Sequence, residues 1–217
     1  MFVGRRMTRN LITVTPDTSI LKVKNLLKEY NIDQVPVVEG KRLAGVITDK
    51  DIRDNSASPA STLSVHELNY LLSEMKAREV MTKKLYTVSP GTTIEEATKL
   101  INEKRVNSLP VVVNNDELVG IITTCDMLNV LLEFMGMDTP SSRIELALSS
   151  DMGEIEKISS IINSMGLTIM SIVSTISSEK SDARTTVIRV NTDDVTDLCK
   201  VFKESGYKVT TEYKVDK

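Results

Sequence analysis

Two short runs hold the residue types best suited to chemistry. Thr48 precedes Asp51 by three places, and Thr123 precedes Asp126 by the same step. At a junction between strand and helix, such a pair can serve as a helix cap with an acid in the first turn. That device adds about 1 kcal/mol without any ligand. The same carboxylate can instead accept charge-assisted hydrogen bonds from a bound molecule. The free N–H groups and positive dipole end of the helix beside it suit a phosphate. Residue types alone leave both roles open. Catalytic patterns are missing: the chain has no Gly-x4-Gly-Lys-Ser/Thr, no His-Glu-x-x-His and no Gly-x-Ser-x-Gly. Its one histidine, His66, has no aspartate or cysteine partner nearby and reads as a solvated or helix-end residue. Cys125 and Cys199 lie far apart in no metal-ligand spacing, and are expected to be two reduced, mostly buried thiols. Little general-base chemistry remains beyond carboxylates, so no enzyme activity, metal or required cofactor is expected.

The two runs occupy equivalent places in an internal duplication. Met7-Thr8 recurs as Met81-Thr82, Val14-x-Pro16 as Val88-x-Pro90, Thr18-x-Ile20 as Thr92-x-Ile94, and Val35-Pro36-Val37-Val38 as Leu109-Pro110-Val111-Val112. The match then slips by one residue, so that Leu43-x-Gly45-Val46-Ile47-Thr48-x-x-Asp51 becomes Leu118-x-Gly120-Ile121-Ile122-Thr123-x-x-Asp126. The extra residue falls in a polar turn, where insertions are tolerated. Each copy predicts a short strand (11–14 or 85–88), a proline turn and an amphipathic helix. Ile20, Val23, Leu26 and Leu27 form one apolar stripe, and Ile94, Ala97, Leu100 and Ile101 the other. A β-hairpin follows (35–38 with 43–48; 109–113 with 118–123), then a second helix from near Asp49 or Thr124. Between the copies, the turn-rich stretch 56–62 leads to Ser64 and Glu67, a capping-box pair. Val65, Leu68, Leu71, Leu72 and Met75 then share one helical face.

After residues 136–140 the pattern changes. A strand is predicted over 143–148, then a helix after Asp151-Met152-Gly153 with Ile155, Ile158, Ile161 and Ile162 inward and Gly166 ending it. Strands over 168–175 and 185–190 are joined through a polar turn at 177–182. A helix over 193–204 stops at Gly206, and 208–213 is a last strand. That βαββαβ order is ferredoxin-like. The expected fold class is α+β. Its domains are a first repeat (1–56), a linker helix (57–76), a second repeat (77–137) and a ferredoxin-like domain (138–217).

The doubled h-P-V-V … G-h-h-T-x-x-D, with the Met-Thr and Thr-Val-x-Pro elements ahead of it, resembles a tandem pair of cystathionine-β-synthase-type (CBS) domains, the Bateman module. The resemblance covers roughly residues 1–135 and implies two pseudo-twofold-related βαββα repeats enclosing two clefts. It implies adenosine ligands there: AMP, ADP, ATP or S-adenosylmethionine. Carried over by position, the polar residues are Thr48 and Asp51 in one cleft and Thr123 and Asp126 in the other, each aspartate holding the ribose hydroxyls. Adenine walls would come from Met7, Ile12 and Val35, and from Met81, Tyr86 and Leu109. Lys50, Arg53, Arg5 and Arg78 would be the phosphate partners, and the Asp51 cleft would hold phosphate better. The last domain, with Gly153 opening its first helix, resembles the ACT module, which implies an effector site at Gly153. Its loop before that helix is shorter than the Gly/Pro-bearing loop of that module. The whole order, with the His66–Leu72 linker, is similar to the acetoin-utilisation AcuB family, which implies a regulatory accessory protein of acetoin or acetate metabolism.

Bulk properties agree with a regulatory role. The formal charge is −3, with 27 Lys/Arg and 30 Asp/Glu. The signs are interspersed, leaving no basic stripe for nucleic acid. No apolar run approaches a membrane span. No apolar stretch follows the basic start Met1–Arg6, so no signal peptide is expected and the cytoplasm is the default compartment. The expectation is a non-catalytic homodimer that senses an adenine nucleotide and reports to a protein partner. The alternatives are a small-effector sensor acting through the last domain, and a structural dimerisation adaptor.

Overall fold

Each repeat is built on a hairpin whose outer strand carries a proline. β1 (Gln34–Glu39) pairs antiparallel with β2 (Arg42–Thr48), and β3 (Ser108–Val113) pairs with β4 (Glu117–Thr123). Proline cannot donate to a ladder, so Pro36 and Pro110 belong on edge strands. The sheet order β1-β2-β4-β3 puts both there. The extra residue of the second copy lies where expected. The first turn is closed by Gly40 at φ +63°, and the longer one uses Asn115 and Asp116, both with positive φ.

The computed structural model describes residues 1–55, 64–149, 151–176 and 184–210, in two compact units, Met1–Met127 and Leu128–Lys217. In the first unit, α1 (Ile20–Glu29) buries Ile20, Val23 and Leu27, and α5 (Ile94–Lys104) buries Ile94, Ala97 and Ile101. Fully burying one such aliphatic side chain contributes about 1.5–3 kcal/mol. The caps differ. Thr93 and Glu96 form a full capping box on α5, whereas Ser19 on α1 accepts only from the Lys22 N–H. Hydrogen bonds from the Thr93 N–H and hydroxyl hold the Glu96 carboxyl below its ordinary pKa. The second helices are α2 (Asp49–Asn55) and α6 (Thr124–Phe134).

The strands predicted at 11–14 and 85–88 reduce to single bridges, Val14 to Val37 and Val88 to Val111. Only one residue of each segment reaches the sheet before its proline turn. The linker helix α3 (Val65–Glu74) has its Ser64–Glu67 capping box, with His66 exposed in its first turn. Leu72 is buried against repeat 1, but Leu71, expected on the same face, is exposed. Stretch 56–62 lies outside the described residues. A short helix, α4 (Ala77–Val80), follows the linker without having been anticipated.

The second unit has the βαββαβ order. β5 (Ser142–Leu148), α7 (Glu154–Ser164), β6 (Ile169–Ile176), β7 (Arg184–Val190), α8 (Thr196–Glu204) and β8 (Lys208–Thr210) form an antiparallel sheet ordered β6-β7-β5-β8. Ile144, Leu146, Ile158, Ile162, Ile188, Leu198 and Phe202 fill its core. Phe202 meets Tyr207 edge to face, with ring centroids 5.7 Å apart. Ile155, expected inward, is exposed in the first turn of α7. α8 begins three residues later than expected. Asp194 accepts from both the N–H and the hydroxyl of Thr196, closing a turn that delays the helix. The turn predicted at 177–182 and the end of the last strand, 211–213, lie outside the described residues. Of the two free thiols, Cys199 is buried as expected and Cys125 is exposed, since it stands on the outer side of the first turn of α6.

Candidate ligand clefts

The two Thr-x-x-Asp corners have the same geometry. β2 ends at Thr48, and Asp51 lies in the first turn of α2. Asp51 Oδ2 accepts from the Thr48 N–H at 2.8 Å and from its hydroxyl at 2.7 Å, while the Asp51 N–H donates back to Thr48 Oγ1 at 3.1 Å. In the second corner Asp126 Oδ2 accepts from the N–H and hydroxyl of Thr123, each at 2.8 Å, and the Asp126 N–H returns to Thr123 Oγ1 at 3.2 Å. Capping therefore occupies only one carboxylate oxygen. Oδ1 of each aspartate takes no part in the cap.

Each corner is completed by the opposite repeat. The arm that opens repeat 1 bonds to repeat 2: Val3 N–H to Thr92 O, Gly4 N–H to Pro90 O, and Thr8 in a bridge with Ile121. The arm at 75–82 does the reverse. The Ile20 N–H reaches Met75 O, the Arg78 N–H reaches Pro16 O, and Thr82 bridges Val46. Met7 thus lies on Gly120, and Met81 on Gly45. A Cβ at either glycine would sit 2.6 Å from the methionine sulfur. Thr82 Oγ1 also donates to Asp51 Oδ1 at 3.3 Å. Each methionine therefore packs on the hairpin of the other repeat.

Among the other expected wall residues, Ile12 and Tyr86 are partly exposed, and the Lys104 ammonium lies 5.3 Å from the Tyr86 ring centre. Val35 and Leu109 have no accessible surface. Both lie in the buried core of their hairpins, where three successive strand residues are buried. Of the expected phosphate partners, Lys50 and Arg5 are exposed. Arg53 is tied to Asp49 at 2.5 Å, and Arg78 is ion-paired with Asp17. Sequence reasoning missed Gln34 and Ser108. They stand opposite Thr48 and Thr123 in their ladders and hydrogen-bond to one another, Ser108 Oγ donating to Gln34 Oε1 at 2.5 Å. Their equivalence under the duplication was the available signal. Gly153 has φ +87°, with open space around it. Its side-chain-free backbone turns the chain into α7; no polar side chain contact marks it as a binding residue among the described residues. Those residues hold no cluster of His, Cys, Asp or Glu fit for a metal ion. None of their helices is long and apolar enough to cross a membrane.

Two hairpins with paired corners, each closed by the other repeat's arm, define a tandem-repeat architecture. The CBS domain family matches residues 3–58 and 77–133, and the chain belongs to that family. It is 34% identical over 135 residues to inosine-5'-monophosphate dehydrogenase of Bacillus subtilis, covering 58% of this chain and 25% of that enzyme. The chain thus spans about a quarter or less of the length of the dehydrogenases it matches. Among solved structures it is similar to CBSX2 in complex with AMP (30% identity, TM-score 0.50, 60% of this chain and 96% of that one). It is also similar to a Vibrio cholerae protein assigned to acetoin utilization, AcuB (26% identity, TM-score 0.52, 64% and 95%).

Proposed function

We propose that the chain is a non-catalytic regulatory protein that binds an adenine nucleotide in its CBS clefts. The observation that carries this reading is the second carboxylate oxygen of each corner: Oδ2 caps a helix, and Oδ1 takes no part in the cap. A vicinal diol such as ribose is a fitting donor to that oxygen. AMP in the similar CBSX2 structure supports the ligand class. Thr48 and Asp51, with Met81 from the opposite arm, would hold one ligand; Thr123 and Asp126, with Met7, the other. Ile12, Tyr86, Lys50 and Arg5 are the accessible candidates at the rims. Domain limits of 1–56, 57–76, 77–137 and 138–217 are part of this proposal, as are a cytoplasmic location and a homodimer. The homodimer reading is supported by Leu128, Leu131, Leu132 and Phe134 on α6, which are all exposed. Acetoin metabolism is proposed on likeness to the AcuB structure.

The test is thermal unfolding with AMP, ADP, ATP or S-adenosylmethionine. A ligand at 100 times its Kd adds about 2.7 kcal/mol. A chain of this size then melts several degrees higher, at roughly 2–4 °C per kcal/mol. A second reading, effector binding by an ACT-like C-terminal unit, is favoured by the βαββαβ topology with Gly153 opening α7. It requires that amino acids, and not nucleotides, raise the melting temperature.

A further inference from the structure

We propose that Thr82 competes with ribose for Asp51, so that the Asp126 cleft takes the nucleotide first. This rests on the nucleotide reading above. The two corners match in every capping bond and differ at one oxygen. Asp51 Oδ1 accepts from Thr82 Oγ1 at 3.3 Å. Among the described residues, Asp126 Oδ1 accepts from none: the bonds of its carboxylate all fall on Oδ2. The backbone placement of the two donors is alike. Thr82 bridges Val46, and Thr8, its counterpart in the duplication, bridges Ile121, the counterpart of Val46. Only the hydroxyls differ, since that of Thr8 makes no hydrogen bond among the described residues.

The consequence follows from competition. A ribose diol approaching Asp126 meets an acceptor with free lone pairs. At Asp51 it must first displace a hydroxyl that is tethered in place, and the ligand's gain is reduced by the bond it breaks. Of the two cations flanking Asp51, Arg53 is paired with Asp49 and Lys50 is exposed, and among the described residues neither ion-pairs with the contested carboxylate. Thr82 is therefore an affinity-setting residue for one cleft, and the ligand concentration at which the second cleft fills depends on it.

Calorimetric titration of the full chain with AMP tests the order. Two sites are expected, separated by roughly fivefold in Kd, the range one hydrogen bond at a partly exposed carboxylate commands. Asp126→Asn removes the tighter site and Asp51→Asn the weaker; asparagine keeps a side-chain oxygen for the cap. Thr82→Val, which preserves shape and leaves both aspartates in place, tightens the weaker site until the two converge, while Thr8→Val changes neither. The inference is overturned if Asp51→Asn removes the tighter site, or if Thr82→Val leaves the gap unchanged or weakens binding. Absence of AMP binding, or binding indifferent to both aspartates, instead overturns the nucleotide reading and the filling order with it. Should an aspartate variant fail to fold, the Thr82→Val titration alone decides the point.

Discussion

The two repeats share one skeleton of hairpin, caps and arms, yet they are not interchangeable. In repeat 1 the corner aspartate is contacted by an arm hydroxyl, and the preceding helix has a simple serine cap. In repeat 2 the corner oxygen is open, and the preceding helix has a full capping box. Duplication preserved what the fold requires of each half and left free the few polar atoms that face a ligand or solvent. On the proposed function, two unlike clefts would answer to two concentration ranges of one ligand.

The largest expected effect tests how tightly each arm is locked. Alanine at Gly120 would bring Cβ to 2.6 Å from Met7 Sδ and 3.0 Å from the Thr8 carbonyl oxygen, a backbone atom, and Met7 is buried. At Gly45 the crowding atoms all belong to the side chain of Met81, which is only partly buried. Gly120→Ala is expected to cost about 2–3 kcal/mol and Gly45→Ala about 1 kcal/mol, measured by urea unfolding. Equal losses would break the distinction between the arms. Next in size, Asp51→Ala and Asp126→Ala should each cost about 1 kcal/mol without ligand, because the cap geometries match. With AMP present, the two variants should part, Asp126→Ala losing more of the thermal shift.

A smaller contrast appears in acid. The Glu96 pKa is lowered by its bonds to Thr93, so its contribution to stability is complete above the pKa of the unfolded carboxyl and fades as pH falls through the lower folded value. Glu96→Gln should flatten that acid limb in a pH series of melts. The corresponding place in α1 is Lys22, and Lys22→Gln should leave the limb as it is. Smallest is the thiol contrast. Native protein should react with a thiol reagent at Cys125 alone, while Cys199, whose pKa is raised by burial, should react only on unfolding. Cys125→Ser is expected to change stability by less than about 0.5 kcal/mol.

Much of the architecture was legible because it is local. Strand alternation, the helical stripes and the Ser64–Glu67 box depend on neighbours a few residues apart, and those elements formed where the pattern put them. The failures share a cause as well. Leu11–Val14 has a strand's composition but only one residue able to reach a partner, and Leu71 and Ile155 fit a helical period while lying beyond the edge of the core. The doubled Thr-x-x-Asp caps were legible because each is a contiguous signal. The Gln34–Ser108 bond was not legible, because it joins positions 74 residues apart, and neither was the full burial of Val35 and Leu109.

The amino-acid sequence by itself determined that the chain is a duplication, where its hairpins and helices begin, and which aspartates cap them, because each rests on short-range periodicity and caps. Tertiary structure alone decided that each arm crosses to the other repeat, that Met7 faces Gly120 and Met81 faces Gly45, and that Asp51 meets Thr82 while Asp126 Oδ1 stays open. Those are contacts through space between distant segments. No local pattern encodes them, and they arise only when two similar halves pack against each other.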